Sequence, residues 1–240
     1  SGITIIELLN FTLKFGLWIP QIPGYPYISI GGAVASNVHG KSGGQYGTIR
    51  NAIKDILIFH KNHGWINLSN AENKKVFDLT IGGYGLTGTI VNVTLQLIDI
   101  EGFKFQTSIK KTNSIIEAVN YIKDNKEKND LIYSWHRIVP NSKNFGDGFI
   151  YCNKTSLESK NKSLDLIKSC KPKFLSNLFY FCIWNNFSTK TFNNFFFNYH
   201  YYLKKKIYKD DFNNVMFPFL GKEFYFSSFG KKGFFESQFL

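Results

Sequence analysis

The residues with the most chemical potential sit in two glycine-rich runs. The first reads Ile28-Ser-Ile-Gly-Gly-Ala-Val-Ala-Ser-Asn-Val-His-Gly-Lys41, the second Gly82-Gly83-Tyr84-Gly85-Leu86-Thr87-Gly88. Glycine lets main chain come close to a ligand and adopt φ > 0 without steric penalty. Backbone N–H groups at a glycine-containing helix start favour an anion. Two such runs in order predict one large, flat, phosphate-bearing ligand gripped from two sides. Either run alone reads equally well as tight turns. His39 lies between small residues and Gly40, with no apolar face to serve, which points to a site. Lys41 adds a cation beside it.

Other chemistries find little footing. Gly83 to Gly88 spells G-x-G-x-x-G, and Asp99 or Glu101 could pose as the acid about 20 positions on that a dinucleotide fold requires. An alternating β-branched segment follows Gly88 where that fold needs a helix, so the assignment fails. There is no G-x-S-x-G, no H-E-x-x-H, no P-loop and no metal-ligand spacing. Cys152, Cys170 and Cys182 are odd in number and lack C-x-x-C spacing, which fits reduced thiols in the cytoplasm. The net charge of +12 favours anionic partners. Lysine comes with abundant Asn, Ile, Phe and Tyr, as A/T-rich coding gives, and no basic run exceeds Lys204-Lys205-Lys206, so nucleic-acid binding is not expected. The longest apolar run, near 174–184, falls short of the roughly 20 residues that span a bilayer.

The elements that must position these runs follow from periodicity. Ile5, Leu8, Leu9 and Leu13 predict a helix over 3–15 stopped by Gly16. Pro20, Pro23, Gly24 and Pro26 force a turning loop, and 27–30 reads as a strand entering the first run. Strands at 52–61 and 65–68 form a hairpin about Asn62-His63-Gly64. A helix is expected over 71–77 and a strictly alternating strand over 89–98. Beyond 101 come a strand at 103–109, a helix at 112–128 capped by Thr112 or Asn113, strands at 131–139 and 148–153, an aromatic helix within 174–206 and a strand at 233–240. Met216 is the single methionine and Ser1 opens into an amphipathic segment, so the chain reads as a piece of a longer protein.

In order, Pro20, Pro23-Gly24, Ile30-Gly31-Gly32-Ala33-Val34-Ala35, Val38-His39-Gly40-Lys41, Gly47 and the second run resemble the PCMH-type FAD-binding domain of vanillyl-alcohol-oxidase type flavoproteins. The branch of decaprenylphosphoryl-ribose and aldonolactone oxidases fits best. Phe217-Pro218 through Phe229-Gly230 to Gly233-Phe234 and Gln238 looks like that branch's substrate domain. The resemblance implies an α+β fold: the second half of an FAD-binding domain over 1–100, then an incomplete α+β cap domain with an antiparallel sheet over 101–240. It implies FAD held by Gly24, Ser29, Ile30, Gly31, Gly32, Ser36, Asn37, Val38, His39 and Ile90. It places Lys41, Trp135, Phe217, Glu236 and Gln238 at the substrate, with Lys41 a candidate for charge at the flavin edge. The diphosphate loop and any covalent flavin-bearing His would lie upstream of Ser1, and the base beyond Leu240. The implied reaction oxidises a secondary alcohol of a sugar, a base taking the hydroxyl proton as hydride passes to flavin N5. A small sugar or a polyprenyl-phosphate sugar is the implied substrate, with an aldonolactone or a free polyol as the enzyme alternative. A partner reductase and peripheral membrane contact are compatible with it.

This sequence departs from the branch. Arg137 stands where relatives often carry Asp, Phe217 where they have Tyr, Glu236 where they have Gln, and Ser42-Gly43-Gly44 where they have Asn-His-His. A non-enzymatic alternative is a degenerate basic domain that binds anionic lipid or nucleic acid.

Overall fold

Mixed helices and antiparallel sheets make up the computed structural model, which describes residues 1–138, 143–156, 185–203, 206–218 and 220. These residues fall into two units, one holding Ser1–Phe103 and the other beginning at Lys104.

The first unit opens with α1 (Ile5–Thr12), where Thr4 and Glu7 form a reciprocal capping box. A 3₁₀ turn, Leu13–Phe15, ends at Gly16, whose left-handed φ of 71° favours a residue without Cβ. Ile5 and Leu9 are fully buried, as their spacing predicts. The short β1 (Leu17–Trp18) follows. The expected strand over 27–30 is not formed. Ser29 is extended and its Oγ accepts from Gly32 N at 3.1 Å, so Ile30 begins a helix, α2 (Ile30–Ala35). The β-branched Ile28 and Ile30 mimic a strand, but the serine cap decides the local outcome. Ser29→Ala is expected to cost about 1 kcal/mol, checked by urea denaturation.

After α3 (Gly43–Tyr46), β2 (Ile53–His60) pairs antiparallel with β3 (Gly64–Ser69) through the Asn62-His63 turn. The next helix, α4 (Lys74–Thr80), starts three residues later than expected. Ser69 Oγ accepts from Ala71 N and Glu72 N, and the resulting turn holds those residues out of the helix. β4 (Thr89–Leu95) completes a sheet in the order β3-β2-β4. Its alternation is broken once: Ile58 faces Ile90 while Leu57 faces Asn92, leaving Val91 as a bulge. β5 (Ile98–Asp99) returns to pair with β1.

In the second unit β6 (Lys104–Thr112) is followed by α5 (Ile115–Asn125), β7 (Leu131–His136) and β8 (Gly148–Ser156). Ser114 caps α5, not Thr112 or Asn113: its Oγ accepts from Glu117 N at 3.1 Å, while Thr112 ends β6 fully buried. Then come α6 (Asn186–Asn198), a π-type turn through Leu203, β9 (Ile207–Asp211) and α7 (Phe212–Met216). The sheet order is β7-β8-β6-β9, all antiparallel. Ala118 of α5 packs on Ile132, Ile150 and Cys152 of one sheet face, and Phe197 of α6 on Phe149 and Tyr151 of the other. Of the aromatic helix expected within 174–206, α6 begins at Asn186 behind its cap Asn185, while residues 174–184 and the 233–240 strand lie outside the described residues. Among the described residues no helix is long and apolar enough to cross a membrane.

Candidate functional site

The two glycine runs meet in the first unit. Gly82 N donates to Val34 O at 3.0 Å and Tyr84 N to Ala35 O at 2.9 Å, so the second run closes over the last carbonyls of α2. Helix-end carbonyls need donors from outside the helix: Val34 O takes Gly82 N beside Asn37 N, and Ala35 O takes Tyr84 N. Gly82, Gly85 and Gly88 have φ of +84°, +80° and +136°. A Cβ on Gly83 would stand 2.1 Å from Leu79 O. The second run is therefore a turn made possible by glycine. The first is helical, with its glycines set by packing: a Cβ on Gly31 would stand 3.0 Å from Ser1 Cβ.

Ser1 ties two other predicted contacts together. Its carbonyl accepts from Gly31 N at 2.8 Å, its hydroxyl donates to Ile90 O at 2.7 Å and its amine to Val91 O at 3.0 Å. The bulge at Val91 turns these carbonyls out of the ladder. One expectation needs correction here. The first N–H groups of α2 are not free for an anion: Ile30 N donates to Ile3 O, Gly31 N to Ser1 O and Gly32 N to Ser29 Oγ. Ser36, Asn37 and Val38 N–H likewise donate to Gly32, Val34 and Ala33 carbonyls. The backbone here offers close approach rather than open donors.

Open polar groups come from side chains. Asn37 sits in the left-handed region with φ 46°, its Cβ 3.2 Å from where Gly82 would carry one, and its Oδ1 is buried without a partner among the described residues. Gln21, which spacing and residue type did not single out, is buried with Nε2 donating to Tyr46 O and Oε1 left without a partner among the described residues. Buried acceptors are nearly always paired, so such atoms mark where a ligand's donors would be accepted. The signal for Gln21 was its place in the turning loop between Pro20 and Pro23. Gly24 lies on the same loop. The small residues of α2 and the Asn37 acceptor just after it fit one edge of a flat ring system.

His39 pairs with Thr48 in an isolated antiparallel bridge. Lys41 is held between two anchors on one loop: a Cβ on Gly40 would stand 1.9 Å from Ile22 O, and Ser42 Oγ donates to Pro20 O. Burial pulls the Lys41 ammonium down from 10.5 to about 7, although the residue as a whole is only half-buried. The unfolded chain keeps the ordinary value. The folded state therefore binds fewer protons between about 7 and 10.5, and stability rises with pH across that window. Below about 7 both states are charged and the cost of desolvating the ammonium is fully present. Lys41→Met is expected to stabilise the fold most in that acid range, and progressively less as pH climbs. Urea titrations on either side of neutrality check it.

Two of the remaining predicted residues, Trp135 and Phe217, lie in the second unit. Trp135 is half-buried on β7, its ring 4.5 Å from that of Phe196 on α6. Phe217 follows α7 with 2% exposure and packs edge-on to Phe212. Glu236 and Gln238 lie outside the described residues. His136 is held by Gly146 O and Ser134 Oγ, and His60 and His63 stack on each other at the hairpin end. Arg137 turns inward to Asp147 and Asn194. Burial raises the phenols of Tyr133, Tyr151 and Tyr208, the last to about 12. Among the described residues no group of three or more His, Cys, Asp or Glu side chains could hold a metal.

No family model matches the chain. Among curated proteins it is similar to decaprenylphosphoryl-beta-D-ribose oxidase of Mycolicibacterium smegmatis, 29% identical over 130 residues, 54% of this chain and 28% of that protein. It is also similar to the mitochondrial D-lactate dehydrogenase (cytochrome) of Arabidopsis thaliana, 33% identical over 101 residues, 40% of this chain and 18% of that protein. A D-lactate dehydrogenase of Archaeoglobus fulgidus is 25% identical over 129 residues, 49% of this chain and 29% of that protein. By their names these relatives are oxidoreductases, one an oxidase and two dehydrogenases. The chain spans between 18% and 29% of the length of the curated relatives it matches.

Proposed function

We propose that this chain is part of an FAD-dependent oxidoreductase that oxidises the secondary alcohol of a sugar, with a polyprenyl-phosphate sugar as the favoured substrate. The observation that carries the reading is the docking of the second glycine run onto α2 beside Asn37 Oδ1, unpartnered among the described residues, in a chain that resembles the PCMH-type FAD-binding domain and is similar to named oxidoreductases. In this reading 1–100 belongs to the cofactor domain and 101–240 to the substrate domain. When bound, FAD supplies the hydride acceptor. Gly24, Ser29 to Gly32 and Ser36 to His39 give it a close-packed edge, with Ile90 on the adjoining strand. Asn37 Oδ1 and Gln21 Oε1 accept hydrogen bonds from ligand donors. Lys41, clamped through both neighbours, presents a cation that stabilises anionic charge most fully below about pH 7. Trp135, Phe217, Glu236 and Gln238 belong to the substrate side.

Support for the sugar comes from the printed name of the Mycolicibacterium relative. The D-lactate dehydrogenase names favour a second reading, a 2-hydroxy acid whose carboxylate would meet Lys41. The test is purification of the whole protein that carries this chain, followed by anaerobic titration. A visible flavin spectrum bleached by a polyprenyl-phosphate ribose supports the proposal. Bleaching by D-lactate alone supports the second reading, and colourless protein that takes up no added FAD overturns both.

A further inference from the structure

The second unit carries a surface that neither the cofactor reading nor the packing of its sheet uses. Along α6 and the turns that continue it, one side, including Phe196, Phe197 and His200, rests on aromatic residues of the sheet. The side facing away is aromatic too. Phe187, Phe195 and Tyr202 are 79%, 70% and 74% exposed, with Tyr199 at 44% between the last two. Positions 187, 191, 195, 199 and 202 recur at intervals of four and three, which sets them in one line along a helix. Sixteen residues at helical rise make that line roughly 24 Å long.

A water-facing helix side ordinarily carries charged and polar residues. Here Lys190 is the one charged residue between Asn185 and Leu203, and the chain then runs into Lys204-Lys205-Lys206, its longest basic run. No carboxylate occurs anywhere from Asn185 to Lys206. Aromatic rings settle at the headgroup level of a bilayer, and lysines beside them are drawn to lipid phosphates. A partner protein that only buried aromatic rings would give no reason for cations without a single acid. The charge pattern selects an anionic surface, and the length of the line selects an extended one.

We propose that this aromatic line on α6 is a docking surface for an anionic lipid bilayer. Phe187, Phe195 and Tyr202 enter the headgroup layer while Lys190 and Lys206 meet lipid phosphates. The proposal stands apart from the cofactor reading, because attachment to a bilayer is measured with or without flavin.

The test is co-sedimentation of the full chain with vesicles of phosphatidylglycerol and phosphatidylcholine, against vesicles of phosphatidylcholine alone. The chain should partition onto anionic vesicles about tenfold or more over neutral ones, and salt should weaken it. The triple variant F187S/F195S/Y202S changes only exposed positions, and circular dichroism verifies its fold. It should lose the partition, whereas K204Q/K205Q/K206Q should keep a residue of it with a flatter salt dependence. Equal partition onto neutral vesicles, or a folded triple variant that binds as well as the parent, overturns the proposal. So does a parent that sizes as a dimer and becomes monomeric in the triple variant without ever binding vesicles, which assigns the line to a second copy of the chain.

Discussion

Gly40→Ala is expected to cost about 3 kcal/mol and to strip the protein of flavin. A Cβ at this position would stand 1.9 Å from Ile22 O and 2.8 Å from Ile22 C, both backbone atoms. Overpacked cores commonly lose about 1–3 kcal/mol, and the upper end applies where the obstacle cannot rotate away. Relief requires the Gly40 segment to leave the loop that carries Pro20, Gln21 and Ile22. That movement carries His39 and Lys41 off with it and breaks the Ser42 contact to Pro20. Gly32→Ala makes the informative contrast. Gly32 is helical, its added Cβ meets only Ser29 Oγ at 3.1 Å, and alanine is the better helix former. Its stability should change by less than about 1 kcal/mol in either direction. If Gly32 lies against the flavin, the variant still loses colour while remaining folded. Urea midpoints beside flavin fluorescence of the retained cofactor separate the two cases. A Gly40→Ala protein that keeps both its stability and its colour would refute the packing argument.

What the sequence reveals depends on whether a signal is local. Helix α1 with Gly16, the hairpin of β2 and β3, and β4 were legible because spacing, turn residues and β-branching agree within ten residues. The segment 27–30 was misread because Ile28 and Ile30 carry strand propensity, while the serine that starts the helix sits between them. Helix α4 was misplaced for the same reason, as Ser69 holds the next residues by side-chain bonds that no periodicity registers. Two glycine runs were visible, but their meeting was not: bonds from Gly82 and Tyr84 to Val34 and Ala35 join positions nearly fifty residues apart. Nor could spacing show that Ser1, Ser29 and Ile3 already use the first donors of α2, or that Gln21 is buried with an acceptor to spare. Trp135 illustrates the same limit in the second unit. Its ring partner Phe196 lies far along the chain, past a stretch of sequence with no pattern pointing back to β7.

Asp147→Ala should be the most destabilising single change in the second unit, at about 3–5 kcal/mol. Arg137 and Asp147 are 7% and 8% exposed, and the carboxylate takes both Nε and Nη2 of the guanidinium. The remaining Nη1 donates to Asn194 Oδ1 on α6 at 2.9 Å, and the guanidinium carbon stands 3.9 Å from the Phe197 ring centroid. Removing the carboxylate leaves a buried cation facing an aromatic ring and one neutral amide, which cannot replace a bidentate partner. The loss should reach beyond the pair, because Arg137 is the polar link between the end of β7 and the helix that covers Trp135. Circular dichroism melts should therefore fall together with near-ultraviolet signal from the Trp135–Phe196 contact. The double variant R137M/D147L removes both charges and restores apolar volume, so it should recover most of the loss. If Asp147→Ala is tolerated within about 1 kcal/mol, the value of an exposed pair, then water reaches this site and the link to α6 is not what holds the helix on the sheet.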